Sequence, residues 1–103
     1  MNTIKKDVHQ FLVERGWEDQ YQAPKDLAIS LTLEASELLE CFQWKSDKEA
    51  VAQKRVAMSE ELADVFIYAT QLAIALDLDI KAIVQEKLAK NATKYPPKSV
   101  KQD

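Results

Sequence analysis

The chain has 103 residues, 47% of them hydrophobic, and a net charge of −3. That length suits one domain that buries roughly 65% of its unfolded surface without needing disulfides or other staples. The acidic balance, with a sequence pI near 5.2, leaves no basic footprint for a polymeric nucleic acid, although a small anion held through a metal stays compatible.

Composition also sets the fold class. One glycine and three prolines in 103 residues, with abundant Ala, Leu, Glu, Lys and Gln, predict an all-α protein. The single Cys41 cannot form an internal disulfide, and residues 1–7 hold no apolar core of a signal peptide, so the expected location is the cytoplasm. The longest apolar run, residues 62–78, is interrupted by Asp64, Gln71 and Asp77. It falls short of the ~20 apolar residues a span requires, so it is expected as a buried helix and no membrane partner is expected.

In chain order, Ile4, Val8, Phe11 and Leu12 recur at helical spacing behind the possible caps Asn2 and Thr3, and Gly16 stands where a stop would fall. A first helix is therefore expected over about 3–15. Pro24 suits the first position of a second helix, expected to run to Trp44. Ser46 and Glu49 match a capping box, so a third helix starts after a very short connection and lies antiparallel to the second. The third is expected to continue to about Leu76. Asp79 caps a fourth, with Ile80, Ile83, Val84 and Leu88 on one stripe, which Pro96 and Pro97 stop. Residues 1–97 thus form one domain with long central helices, of four-helix-bundle type, and 98–103 form a frayed tail.

Two acidic pairs stand out: Glu34 with Glu37, and Glu61 with Asp64, each three residues apart. On a helix such spacing aims both carboxylates at one spot. The second helix puts Leu27, Leu31, Ala35, Leu38 and Phe42 on its core stripe, with Glu34, Cys41, Ser30, Glu37 and Trp44 along the flank. The third has Leu62, Val65, Phe66, Ala69, Leu72, Ala73 and Leu76 on its stripe, with Glu61 at the edge and Asp64 and Tyr68 next to it. Both pairs border buried surface, and four facing carboxylates repel one another unless a divalent cation sits among them. A magnesium site, with manganese as a substitute, is the expected result, and magnesium suits a polyphosphate substrate. Ile67 and Ile74 point away from the core stripe, so the third helix needs cover on more than one side. A homodimer or dimer of dimers is expected to supply it.

The segments E34-A-S-E-L-L-E-C-F-Q-W44, E60-E-L-A-D-V-F-I-Y68 and K87-L-A-K-N-A-T-K-Y-P96 resemble the MazG-like all-α nucleoside triphosphate pyrophosphohydrolases over residues 17–97, and within them the small single-domain branch that prefers dCTP. The resemblance implies cleavage between the α- and β-phosphates to a monophosphate and pyrophosphate, in the service of cleaning the deoxynucleotide pool. It places the metal-ligand and catalytic positions on Glu34, Glu37, Glu61 and Asp64. Glu34 is the candidate for orienting the attacking water, though any of the four can serve. It also implies that Trp17 and Trp44 line the base pocket and that Asn91 reads the base. Tyr68, Lys87, Lys94 and Tyr95 complete the substrate-binding set, with Lys98 beside them. His9 stands one position from the place of the branch's base-proximal histidine. The alternatives are a dUTP or phosphoribosyl-ATP hydrolase of the same fold, or a non-catalytic helical dimerisation or regulatory module.

Overall fold

The computed structural model describes residues 2–18 and 23–98, and every regular element among them is helical. The helices are α1 (Asn2–Glu14), α2 (Pro24–Glu40), α3 (Asp47–Ala75) and α4 (Ile80–Lys94). Local chemistry accounts for most of the boundaries. Gly16, at φ 67°, ends α1 in a Schellman arrangement: its N–H donates to the Val13 carbonyl at 3.0 Å and the Trp17 N–H to the Leu12 carbonyl at 2.8 Å. Because α1 already begins at Asn2, Thr3 lies inside the helix rather than capping it. Pro24 opens α2 behind Ala23, which offers no side-chain cap. The capping box forms as expected, with the Glu49 N–H on Ser46 Oγ at 3.2 Å and the Ser46 N–H on Glu49 Oε1 at 3.0 Å. Asp79 Oδ1 accepts from the Ala82 N–H at 3.1 Å and starts α4.

One boundary differs from expectation, and another, at about Leu76, is met by an unusual stop. Helix α2 stops at Glu40 rather than Trp44, because the chain must reverse before Ser46. Residues 41–45 do so through successive tight turns, closed by the N–H groups of Cys41, Phe42, Gln43 and Lys45 on carbonyls three residues earlier. Trp44 takes up a left-handed backbone, φ 63°, which no helix continues through. At the other end, α3 finishes at Ala75 with Asp77 left-handed at φ 55° and the Leu78 N–H on the Ala73 carbonyl at 2.8 Å, a second Schellman stop made without glycine.

Helix α3 is the spine. Helix α2 packs along it most extensively and α1 joins on the same helix. The side chains brought together show that α2 and α3 run antiparallel: Leu27 and Ser30 meet Ile67, Tyr68 and Gln71, whereas Glu34 meets Glu61 and Asp64. The core consists of Val8, Leu12, Leu27, Cys41, Ala50 and Ala73, together with Thr70, which is fully enclosed. Thr70 Oγ1 donates to the Phe66 carbonyl at 2.7 Å, so its hydroxyl is satisfied inside its own helix. The apolar stripe expected on α3 is only partly covered, since Leu62, Phe66 and Leu76 remain exposed. Helices α1 and α2 both pack on α3, and its most enclosed residues are the small Ala50, Thr70 and Ala73. A break from helical geometry at Lys54, φ −121° and ψ 19°, re-aims the first turns of that helix.

Helix α4 contributes no buried residue, and its Ile83, Val84 and Leu88 stripe is uncovered, Leu88 being 61% exposed. Four helices are present among the described residues, and α4 stands off the other three within one chain. The radius of gyration, 17.4 Å, confirms this against the ~13 Å of a compact domain of about this length. No helix among the described residues is long and apolar enough to cross a membrane. The expected tail lies, past Lys98, outside the described residues.

Candidate active site

The i, i+3 spacing works as chemistry predicts once α2 and α3 are laid against each other. One carboxylate oxygen from each of Glu34, Glu61 and Asp64 lies within 4.8 Å of the others. Glu37 falls outside this trio but sits against it, touching both Glu34 and Glu61. None of these groups has a cationic partner among the described ion pairs.

The electrostatic consequence is that two of these carboxyls, Glu61 and Glu34, hold a proton more tightly than a free carboxyl does. The contact with Glu37, a carboxyl against a carboxyl, is the largest influence on Glu61. With partial burial and the charges of Glu34 and Asp64, it pushes the Glu61 carboxyl up to about 7. Glu34 is also raised, first by burial and then by Glu37 and Asp64. Glu61 Oε2 is sealed from solvent with no hydrogen-bond donor beside it. A sealed, unpartnered carboxylate oxygen in an all-oxygen acidic cluster fits a hard divalent cation, which takes carboxylate ligands and keeps several waters.

Next to the cluster is a cleft of about 500 Å³, and Asp64 belongs to both. One wall is aromatic: Phe11 from α1, Trp17 from the turn after it, and Tyr68 from α3. The Phe11 and Trp17 rings meet edge to face, centroids 5.9 Å apart at 65°, and the Arg15 guanidinium lies 3.7 Å above the Phe11 ring. This stack holds Trp17 against α1. The polar lining comes from Asp26 and Ser30 on α2 and Gln71 on α3.

Of the residues expected at the site, the structure brings together the four acids, Trp17 and Tyr68. It does not bring Trp44, Asn91, Lys87, Lys94 or Tyr95 to the cleft. Trp44 is not on the acidic flank of α2, because it lies beyond the end of that helix, and it is 92% exposed. Asn91 is half-buried, and Lys87, Lys94 and Tyr95 are exposed on or beyond α4, which stands off the rest of the chain. Lys94 Nζ lies 5.4 Å from the centre of the Tyr95 ring, the two forming a local pair at the end of α4. His9 and Lys98 are likewise exposed and outside the cleft. Sequence reasoning missed Phe11, Asp26 and Gln71 as site residues. Phe11 looked like core, and Gln71 looked like a polar interruption of an apolar run; only their placement opposite α2 and Trp17 gives them a role.

An all-α chain that holds a carboxylate cluster at the end of an aromatic cleft defines a class of small-molecule site. The comparisons agree: residues 29–102 match the MazG-like family, and the chain belongs to it. It is similar to the dCTP pyrophosphatase 1 of Rattus norvegicus (41% identical) and of Homo sapiens (40%), in each case over 93% of this chain. The chain spans 59% of the length of those relatives. Among solved structures it is similar to a pyrophosphatase from Archaeoglobus fulgidus, 36% identical, with a TM-score of 0.84 over 94% of this chain and 93% of that one.

Proposed function

We propose that the chain is a magnesium-dependent nucleoside triphosphate pyrophosphohydrolase that cleaves deoxynucleotides between the α- and β-phosphates. The observation that carries this reading is the convergence of Glu34, Glu61 and Asp64 at the mouth of the aromatic cleft. The names of the similar proteins, dCTP pyrophosphatase and pyrophosphatase, support it. Glu34, Glu61 and Asp64 would hold the cation, which when bound polarises phosphate oxygens and neutralises developing charge. Trp17 and Tyr68 offer ring faces to the base, stacking that contributes roughly 1 to 3 kcal/mol per base. The carboxylate left outside the ligand set takes the proton of the attacking water. By position Glu37 suits that duty better than Glu34, because its oxygens fall outside the trio.

The remaining substrate-side residues require a second chain in this reading. Trp44, Asn91, Lys87, Lys94 and Tyr95 stand away from the cleft of their own subunit, and α4 presents an uncovered apolar stripe. A homodimer or dimer of dimers would cover that stripe and carry these residues toward a neighbouring cleft. An enzyme of nucleotide pools acts in the cytoplasm and needs neither a polymeric nucleic acid nor a membrane as partner.

The test is a panel of purified triphosphates, dCTP, dUTP, dATP, dGTP and phosphoribosyl-ATP, with magnesium or manganese. Pyrophosphate and the monophosphate are the expected products. Orthophosphate would assign the chain to another hydrolase class, and no product from any triphosphate would favour a binding module. The substrate hydrolysed best separates a dCTP enzyme from a dUTP or phosphoribosyl-ATP enzyme.

A further inference from the structure

The aromatic cleft has two ends. At one, Asp64 joins it to the acidic cluster; the other is reached by following both helices away from the acids. From Glu34 back to Asp26 is two turns of α2, and from Asp64 on to Gln71 is two turns of α3. At 1.5 Å per residue each leads roughly 10 to 12 Å from the acids, and because the helices are antiparallel both lead the same way. A nucleotide whose phosphates lie at the acidic cluster and whose base stacks on Trp17 would place its Watson–Crick edge among Asp26, Ser30 and Gln71, which supply the polar lining there.

We propose that Gln71 and Asp26 read the base, and that together they favour bases that carry an exocyclic amine beside a ring nitrogen, cytosine in the first instance, over uracil and thymine. This rests on the nucleotide reading of the same cleft. A glutamine amide has both a donor and an acceptor and by turning over can match either a cytosine or a uracil edge. It provides affinity without choosing between them. A carboxylate accepts only, so Asp26 rewards an amine and opposes a carbonyl in the same place. Ser30, one turn from Asp26, has a hydroxyl that can adapt to either partner. Discrimination therefore comes from the α2 side and affinity from the α3 side. Asn91, the amide expected to read the base, stands outside the cleft of its own chain.

The test compares dCTP with dUTP as substrates for wild type, Gln71→Ala and Asp26→Asn, with circular dichroism to confirm folding. Wild type is expected to favour dCTP in kcat/KM. Gln71→Ala should raise the KM for both nucleotides roughly tenfold, the scale of a lost polar contact to a substrate, while leaving their ratio nearly unchanged. Asp26→Asn, which adds a donor, should collapse the ratio toward one by improving dUTP. Equilibrium binding of dCMP and dUMP, followed by tryptophan fluorescence, reads the same discrimination without turnover. A wild type that treats dCTP and dUTP alike, or an Asp26→Asn variant that keeps the wild-type ratio, would overturn the assignment while leaving the hydrolase reading intact. A wild type inactive on every triphosphate, yet with the predicted dCMP preference in binding, would overturn the hydrolase reading alone.

Discussion

The chemistry of the site rests on individual carboxyls. If the acids hold the cation and activate water, Glu34→Gln, Glu37→Gln, Glu61→Gln and Asp64→Asn each abolish turnover while circular dichroism stays helical. A fully active variant removes its residue from the mechanism. The raised Glu61 carboxyl also has a consequence for stability. Its folded value of about 7 lies above its ordinary 4.5, so the folded chain binds the extra proton more tightly than the unfolded chain. Its stabilising contribution is therefore complete below 4.5 and is lost as pH rises through about 7. The metal-free protein is expected to melt at a lower temperature as pH rises across this window, a slope that Glu61→Gln flattens. An equally steep slope in the variant would assign it to other groups. Glu49 works with the opposite sign: the Ser46 hydrogen bonds hold its carboxyl below 4.5, so the capping box is lost only as pH falls below that value.

Sequence spacing was a good guide to these acids because i, i+3 on a helix is a geometric fact independent of tertiary detail. It misplaced Trp44, since whether a helix carries on for one more turn depends on where the next helix must begin. The left-handed Trp44 backbone costs of order 1 to 2 kcal/mol in a non-glycine residue. Trp44→Gly is therefore expected to raise the chain's own stability, read by urea denaturation, and to raise the substrate KM if the indole covers a neighbouring subunit's nucleotide. A variant that loses stability would show that the indole packs against something in solution.

At the scale of the elements, end signals and core anchors hold the site in place. Ser46→Ala and Asp79→Ala should each cost about 1 kcal/mol, the usual worth of an N-cap. The interior is small, so Leu27→Ala, which empties one of the few sealed places between α2 and α3, should cost about 2 to 5 kcal/mol. Both are read from denaturant midpoints, and a Leu27→Ala cost below that of the caps would mean the α2–α3 seam is not the main source of stability. Capping boxes, Pro24 and Gly16 were legible in the sequence because each acts through its own backbone neighbours. The α3 stripe was less so. A helix packed by two others buries whichever residues fit, so Thr70 is enclosed while Leu62 and Phe66 stay exposed.

The whole molecule is more open than its helix count suggests. One chain leaves α4 and large apolar groups such as Leu39 and Val56 in contact with solvent, more than a stable monomer usually leaves uncovered. Sedimentation should therefore find dimers or tetramers at micromolar concentration, and Leu88→Asp in α4 should shift them toward monomer. A monomer with full activity would confine every catalytic and binding role to the residues of a single cleft. Hydropathy alone suggested the need for cover, through Ile67 and Ile74. It could not show that α4 would be the surface left most open, because that depends on the angle at which the 76–79 connection releases the helix.

The account depends most on a shared cation between α2 and α3, and titration calorimetry with manganese in place of magnesium tests this directly. Wild type should bind the metal and, below pH about 7, release the proton that the Glu61 carboxyl holds, while combined replacement of Glu34, Glu61 and Asp64 by their amides should abolish both binding and proton release. Undiminished metal binding in that triple variant would contradict the account.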